Sequence, residues 1–133
     1  MKITKGSAYD AAMTIKNIID GCTQEIPQLA AYRLAKIYTK IQKYGLEVER
    51  HMIKMAQQFG SESLDSDGVS QGWKVPEANR KAYNEAVAVL RDEEVEIDAN
   101  PVPIGAFGTN TANGLQTNQF YHLRDFIEGE PTE

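Results

Sequence analysis

The sequence contains very few of the residues on which disulfide-bonded proteins and metal sites depend. Its 133 residues include one cysteine, Cys22, and two histidines, His51 and His122. One cysteine cannot form an intramolecular disulfide, and the residues that zinc prefers are too few for a zinc site. We therefore expect a chain that folds without disulfides, metal or cofactor in a reducing compartment, for which the cytoplasm fits best.

Long apolar runs are also missing from the chain. No segment has the length and hydrophobicity of a signal peptide or a membrane-spanning helix, which argues against secretion and membrane insertion. The hydrophobic content is 41%, and 133 residues lie within the usual size of one domain. We predict a single helical domain over residues 1–133 that buries its own core.

The common enzyme motifs are absent as well. The sequence has no Gly-x-Ser-x-Gly turn, no Gly-Lys-Ser/Thr phosphate loop and no dinucleotide fingerprint. A small hydrolase or transferase would have to use Cys22 or His51, neither of which lies in a catalytic motif. The carboxylates of residues 92–98 are better explained by solvation. We predict a non-enzymatic protein and keep a small enzyme as an alternative.

The strongest positive signal is an apolar stripe that begins after Pro27 and recurs in steps of three and four. Its members are Ala30, Leu34, Ile37, Ile41, Tyr44, Val48, His51/Met52, Met55 and Phe59. This spacing predicts one helix over residues 28–59. Such a helix is about 48 Å long, whereas a compact sphere of this chain is about 36 Å across.

Two arrangements can accommodate this excess length. The helix can bend near Gly45, because glycine weakens a helix, or its end can project and pack against a second copy of the chain. The second arrangement predicts a homo-oligomer. Its predicted interface residues are Ile41, Tyr44, Val48, His51 and Met55.

The remaining segments are predicted from capping and turn signals. Helices are expected at about 8–20, 76–93 and 118–128, the first capped by Ser7 with Asp10. Residues 61–74 and 105–116 read as loops, the former allowing a short hairpin turn at Asp67-Gly68. The predicted fold is mainly α, a helical bundle built on one long central helix with a short β-hairpin or extended segment.

Charge is divided unevenly along the chain. Residues 1–60 carry nine basic and five acidic side chains, whereas residues 61–133 carry five basic and fourteen acidic ones. Six cations, interrupted only by Glu47, follow one line on the long helix, here called the basic stripe. The basic stripe consists of Arg33, Lys36, Lys40, Lys43, Arg50 and Lys54.

The basic stripe has two interpretations. It can bind a phosphate-bearing ligand, a nucleic acid or an acidic protein, or it can be a solvated helix flank that faces the acids of residues 92–98. The sequence pI of about 5.1 disfavours nucleic acid but excludes a small anion such as a nucleotide less firmly. The predicted partner-binding residues are Arg33, Lys36, Lys40, Lys43, Arg50 and Trp73, of which Trp73 can alternatively be a core anchor.

Four short motifs carry a resemblance to a known group of proteins. They are Tyr32-Arg33-Leu34-Ala35-Lys36, Lys74-Val75-Pro76-Glu77, Glu94-Val95-Glu96-Ile97-Asp98, and the terminal Leu123, Phe126 and Ile127. In this order they resemble small, uncharacterised helical proteins encoded by bacteriophages. The resemblance implies expression in the cytoplasm of an infected bacterium and a non-enzymatic accessory role, and it transfers no site residue.

Together these observations predict a self-associating binding protein. Its expected action is to inhibit or sequester a host factor, either a protein or a small anionic, nucleotide-like signal, as inhibitors of host defence do. The alternative within the same resemblance is a structural or assembly accessory protein of a phage particle.

Overall fold

Helices form most of the fold, which confirms the mainly α prediction. The computed structural model describes residues 1–21, 25–108 and 114–129. The helices are α1 (Lys5–Gly21), α2 (Gln28–Phe59), α3 (Glu77–Arg91) and α4 (Thr117–His122), with a 3-10 turn at Ile104–Phe107. The strands are β1 (Lys2–Thr4), β2 (Ser61–Leu64), β3 (Ser70–Lys74), β4 (Glu94–Glu96), β5 (Val102–Pro103) and β6 (Ile127–Glu128). No helix within these described ranges is long and apolar enough to cross a membrane.

Helix α2 has the predicted bounds and runs without interruption through Gly45. Gly45, the position at which the sequence allows a bend, is buried and faces α1. A Cβ atom at this position would lie 3.2 Å from the Cβ of Ala12. Two small residues therefore let the axes of α1 and α2 approach closely.

The start of α1 differs from the prediction. The helix begins at Lys5, and the Thr4 hydroxyl accepts a hydrogen bond from the Ser7 amide at 3.1 Å. Thr4 is therefore the capping residue, and the predicted Ser7–Asp10 cap is wrong. Asp10 instead forms an ion pair with Arg91 of α3 at 2.6 Å.

The core lies between α1 and the first half of α2. The 17 residues of α1 span about 25 Å, so α1 covers only about half of the length of α2. Buried apolar side chains from the chain termini close the remaining sides of this core. The core residues include Ile3, Ala8, Ala11, Ile15, Leu34, Ile37, Ile41, Ile97, Val102, Leu123 and Phe126.

Three short strand pairs connect segments of the chain, two of them between segments that are distant in sequence. β1 pairs antiparallel with β4, with Ile3 opposite Val95, and β2 pairs antiparallel with β3. β5 pairs parallel with β6, with Val102 opposite Ile127. The N-terminal strand joins residues that are more than 90 positions apart, which brings the acidic segment 92–98 alongside α1 and α2.

The predicted C-terminal helix 118–128 is too long. α4 ends at His122, and the chain then turns so that Leu123 and Phe126 enter the core. The Phe126 carbonyl accepts a hydrogen bond from the Val102 amide at 2.7 Å. Pairing with β5 thus replaces the last turns of the helix, since long-range burial outweighs local helical spacing.

Residues 61–74, which were predicted as a loop or short hairpin turn, form β2, a tight turn and β3. The Asp65 carboxylate accepts hydrogen bonds from the amides of Asp67 and Val69 at 2.9 and 2.8 Å. Gly68 has a φ angle of +79°, which glycine adopts without strain. Gly60 ends α2 where a Cβ atom would collide with the Lys74 carbonyl, so this glycine lets β3 approach the helix end.

Residues that fall outside the described ranges include two predicted features. Cys22, a candidate catalytic residue of the small-enzyme alternative, is one of them. Residues 109–113 of the predicted loop 105–116 are the other. The described part of that loop begins with the 3-10 turn at Ile104–Phe107, in which Phe107 is buried.

We expect Leu34→Ala and Ile41→Ala each to lower the free energy of unfolding by about 2–5 kcal/mol, because both side chains are at most 1% exposed and truncation leaves a cavity. Leu29→Ala is the matched control, since Leu29 lies on the same helix but is 55% exposed; it should change stability by less than about 0.5 kcal/mol. Urea unfolding followed by circular dichroism measures all three. Equal effects of the three substitutions would contradict the assigned core face of α2.

Candidate anion-binding site

The basic stripe is exposed along α2 but is divided into two parts. Its interruption, Glu47, accepts a hydrogen bond from the Lys5 ammonium at 2.9 Å. The same ammonium donates to the Glu93 carboxylate at 2.6 Å. This network of Lys5, Glu47 and Glu93 separates the cations of residues 33–43 from Arg50 and Lys54.

The first three cations of the stripe line one side of an open cavity of about 290 Å³. Arg33, Lys36 and Lys40 recur in steps of three and four, so their side chains leave α2 on the same flank. Ile37 lies at the inner edge of the cavity and is 3% exposed, which ties this part of the site to the core. The opposite wall is formed by Ala99, Asn100, Pro101 and Pro103.

The segment that forms this opposite wall is fixed at both ends. The Ile97 amide donates to the Met1 carbonyl at 2.8 Å, and the Val102 amide donates to the Phe126 carbonyl at 2.7 Å. Both Ile97 and Val102 are buried. Prolines at 101 and 103 restrict the backbone between and beyond these anchors. The cavity wall is therefore preorganised by the fold.

The positive charge of the cavity is not neutralised by a carboxylate. No acidic side chain lines it, and no salt bridge found among the described residues involves Arg33, Lys36 or Lys40. The Lys40 ammonium donates to the backbone carbonyl of Asp98. The Lys36 ammonium lies 5.6 Å from the centre of the Tyr32 ring. Exposed cations that cluster without a carboxylate partner form a positive patch that can attract an anion.

Two of the five acids of residues 92–98 form ion pairs with groups outside the basic stripe. Glu93 pairs with Lys5, and Glu96 pairs with the amino group of Met1 at 3.1 Å. The basic stripe meets segment 92–98 at two places among the described residues. One is the network in which Glu47 and Glu93 share Lys5, and the other is the hydrogen bond from the Lys40 ammonium to the Asp98 carbonyl.

The shared lysine changes the ionisation of its partner. The hydrogen bond and the charge of Lys5 lower the pKa of Glu93, and the charge of His51 lowers it further. The hydrogen bonds to Glu93 and Glu47 raise the pKa of Lys5. Folding therefore favours the charged form of both side chains, which joins the N-terminus of α1 to the segment after α3.

The other predicted partner-binding residues do not join this cavity. The Lys43 ammonium lies 4.9 Å from the ring centre of Tyr44 and does not line the cavity. Trp73 is 40% exposed on β3, beside the end of α2. Lys40 at the cavity and Phe59 at the end of α2 are 19 residues apart, or about 28 Å, so Trp73 and the cavity cannot bind the same small molecule.

The residues predicted as an oligomer interface fall into two groups. Ile41 and Val48 are fully buried within the chain, so neither is available to a second copy in this conformation. The helical spacing could not distinguish a core stripe from an interface stripe, because both repeat every three or four residues. Tyr44 and Met55 are partly buried and His51 is exposed.

A second, more polar cavity of about 260 Å³ lies between α1 and α4. It is lined by Asp10, Met13, Thr14, Asn17, Asn118, Gln119 and His122. The buried Nδ1 atom of His122 has no hydrogen-bond partner among the described residues and lies 4.0 Å from the Asp10 carboxylate. Within the described ranges, no group of three or more metal-ligating side chains accompanies either cavity.

The wall residues Asn100, Pro101 and Pro103 were not among the predicted site residues. Their position opposite α2 depends on the pairing of β1 with β4 and of β5 with β6, which joins distant parts of the chain. The only local signal was the pair of prolines, which marked the segment as extended.

No protein-family model matches this chain, and neither curated proteins nor solved structures give a match.

We expect Glu93→Gln to lower the thermal midpoint at neutral pH, because the substitution removes an ion pair with Lys5. Because the pKa of Glu93 is lowered, the ion pair stabilises the fold at pH values above the ordinary glutamate pKa. This stabilisation is lost as the pH falls from there to about pH 3. The raised pKa of Lys5 keeps the ion pair intact until strongly alkaline pH. Thermal unfolding at both pH values measures the difference.

The matched control for this pH prediction is Glu85→Gln, which neutralises an exposed glutamate of α3. Its difference from the wild type should be small at both pH values. A difference between wild type and Glu93→Gln that stays constant from neutral to acid pH would contradict the assigned ion pair.

Proposed function

We propose that this chain is a non-enzymatic binding protein that holds a small phosphate-bearing ligand, of the size of one nucleotide, between α2 and residues 99–103. The observation that carries this proposal is the convergence of Arg33, Lys36 and Lys40 on one cavity without a carboxylate. None of the three cations forms an ion pair with a carboxylate among the described residues. An anionic ligand would supply the counter-charge.

The chemistry of the cavity suits a phosphate ester better than a bare polyanion. The guanidinium of Arg33 can contact two phosphate oxygens at once, and the ammonium groups of Lys36 and Lys40 add charge. The opposite wall offers apolar surface from Ala99, Pro101 and Pro103 for a sugar or base. Asn100 can both donate and accept hydrogen bonds there.

The size of the cavity argues for a single small molecule. Its volume of about 290 Å³ is close to the lower limit of about 300 Å³ for typical ligand pockets. The basic stripe is interrupted after Lys43 by the Lys5 network, so a nucleic acid would meet no continuous line of cations. An overall net charge of −5 adds to this argument.

The resemblance to bacteriophage proteins implies that the proposed binding takes place inside an infected bacterium. If the chain acts inside an infected bacterium, a stable protein with a preformed anion cavity can lower the free concentration of a nucleotide-like signal without altering it chemically. Sequestration requires only tight binding. We therefore propose sequestration of a small anionic host signal rather than its breakdown.

Isothermal titration calorimetry of the full chain with adenosine monophosphate, guanosine monophosphate and inorganic phosphate tests this proposal. Binding of a nucleotide should be lost or weakened by at least about 100-fold in Lys36→Gln/Lys40→Gln, because the variant removes two charge-assisted hydrogen bonds that contribute about 1.5–3 kcal/mol each. The affinity should also fall as the salt concentration rises.

Arg50→Gln/Lys54→Gln is the matched control, because it removes the same charge from the same stripe beyond the Lys5 network. It should retain the affinity of the wild type. Equal weakening by both double variants would indicate a diffuse field effect and contradict a site in the cavity. Binding of an acidic host protein that depends on both halves of the stripe, with no nucleotide binding, would also overturn the proposal.

A further inference from the structure

The cavity between α2 and residues 99–103, here called the anion cavity, is elongated along the helix. The hydrogen bond from the Lys40 ammonium to the Asp98 carbonyl ties one end of the cavity wall to the middle of α2. Farther along the wall, a Cβ atom at Gly108 would lie 3.5 Å from the side chain of Pro27, just before α2 begins. The wall therefore runs beside α2 from Lys40 toward the start of the helix.

The three cations of the anion cavity are spaced along the same direction. The axial distance on α2 is about 4.5 Å from Arg33 to Lys36 and about 6 Å from Lys36 to Lys40. Arg33 and Lys40 are therefore two helical turns apart, or about 10 Å. Residues three or four positions apart on a helix are neighbours, so Lys36 can share a bound group with either of the other two cations.

The three cations also differ in the contacts that they already make. The Lys40 ammonium is held at the opposite wall by the Asp98 carbonyl, and the Lys36 ammonium lies 5.6 Å from the centre of the Tyr32 ring. Arg33 is exposed and forms no hydrogen bond, ion pair or ring contact with any other part of the described chain. Its guanidinium is free to bind a phosphate group through two parallel hydrogen bonds.

The position of Lys40 argues against convergence of all three cations on one phosphate group. Lys40 would have to leave the Asp98 carbonyl to reach a group that Arg33 binds two turns away. Lys36 and Lys40 can hold one phosphate group with this contact intact. Arg33 then faces the next position along the anion cavity, toward the start of α2.

The charge of the anion cavity likewise exceeds that of a single phosphate group. Arg33, Lys36 and Lys40 line it without a carboxylate from the described residues. A phosphate monoester carries about −1.5 to −2 at neutral pH, which leaves part of the positive charge unbalanced. A second phosphate group joined to the first brings the charges of ligand and cavity close to balance.

We infer that the ligand of the anion cavity carries two directly linked phosphate groups, as a nucleoside diphosphate does, laid along α2. One phosphate group lies at Lys36 and Lys40, and the second lies at Arg33, which binds it through both arms of the guanidinium. The inference rests on the proposed function, because it names the phosphate content of the ligand held in the same cavity.

Isothermal titration calorimetry of the full chain, in magnesium-free buffer at one ionic strength, tests this inference with adenosine monophosphate, adenosine diphosphate and adenosine 3′,5′-bisphosphate. The diphosphate should bind at least about 10-fold more tightly than the monophosphate, because it adds a charge-assisted contact with Arg33. The 3′,5′-bisphosphate carries two phosphate groups that are not linked to each other, and it should lack most of this gain. Equal affinity of the diphosphate with either of the other two ligands would overturn the inference.

Arg33→Gln should remove the preference for the diphosphate and leave the affinity for the monophosphate nearly unchanged, because both lysines remain. The matched control is Lys43→Gln, which removes a neighbouring cation of the basic stripe that does not line the anion cavity. This control should keep the preference for the diphosphate. Loss of the preference in both variants, or in neither, would contradict the role of Arg33.

A chain that binds none of these nucleotides would overturn the proposed function and this inference together. A chain that binds the monophosphate, loses that binding in Lys36→Gln/Lys40→Gln and gains nothing from a second linked phosphate group would overturn the inference alone.

Discussion

The rest of the structure depends on the close contact between α1 and α2. Ala12 and Gly45 meet at this contact, where the Cβ that glycine lacks would lie 3.2 Å from its neighbour. Close approach of the helices lets Ile15, Leu34 and Ile41 interlock with almost no exposure. The contact fixes the flank of α2 on which the basic stripe emerges, and it determines how far along α2 the core extends.

The difference in length between the two helices divides the molecule into two halves that differ in packing. α1 spans about 25 Å of the roughly 48 Å of α2, so only the first half of α2 receives a full core. In that half, β1 and the C-terminal residues hold segment 97–102 against α2 and so create the anion cavity. In the other half, the β2–β3 pair and α3 cover α2 incompletely and leave apolar side chains in water.

The features that the sequence predicted well are those that local spacing controls. The bounds of α2 follow from an uninterrupted three-and-four pattern between Pro27 and Gly60, and α3 begins after Pro76 as expected. Three cations of the predicted basic stripe, Arg33, Lys36 and Lys40, lie together at the cavity. A fixed helical period makes such a set visible without knowledge of the fold.

The features that the sequence did not predict depend on contacts between distant residues. The Val102 amide donates a hydrogen bond to the Phe126 carbonyl, and this pairing ends the last helix early. Ile3 pairs with Val95, although the sequence pattern around either residue does not predict the other. Lys5 explains why Glu47 interrupts the stripe, but 42 residues separate the two in sequence. The apolar stripe also gave no means of separating Ile41, which the chain buries, from the residues of a subunit interface.

The central claim is that the anion site is confined to the cavity rather than spread over α2. Amide chemical shifts of the isotope-labelled protein during addition of adenosine monophosphate test it most directly. The account predicts shifts in residues 33–40 and at Ala99, Asn100 and Val102, with residues 50–54 unchanged. Uniform small shifts along the whole stripe, or none at Asn100 and its neighbours, would contradict it.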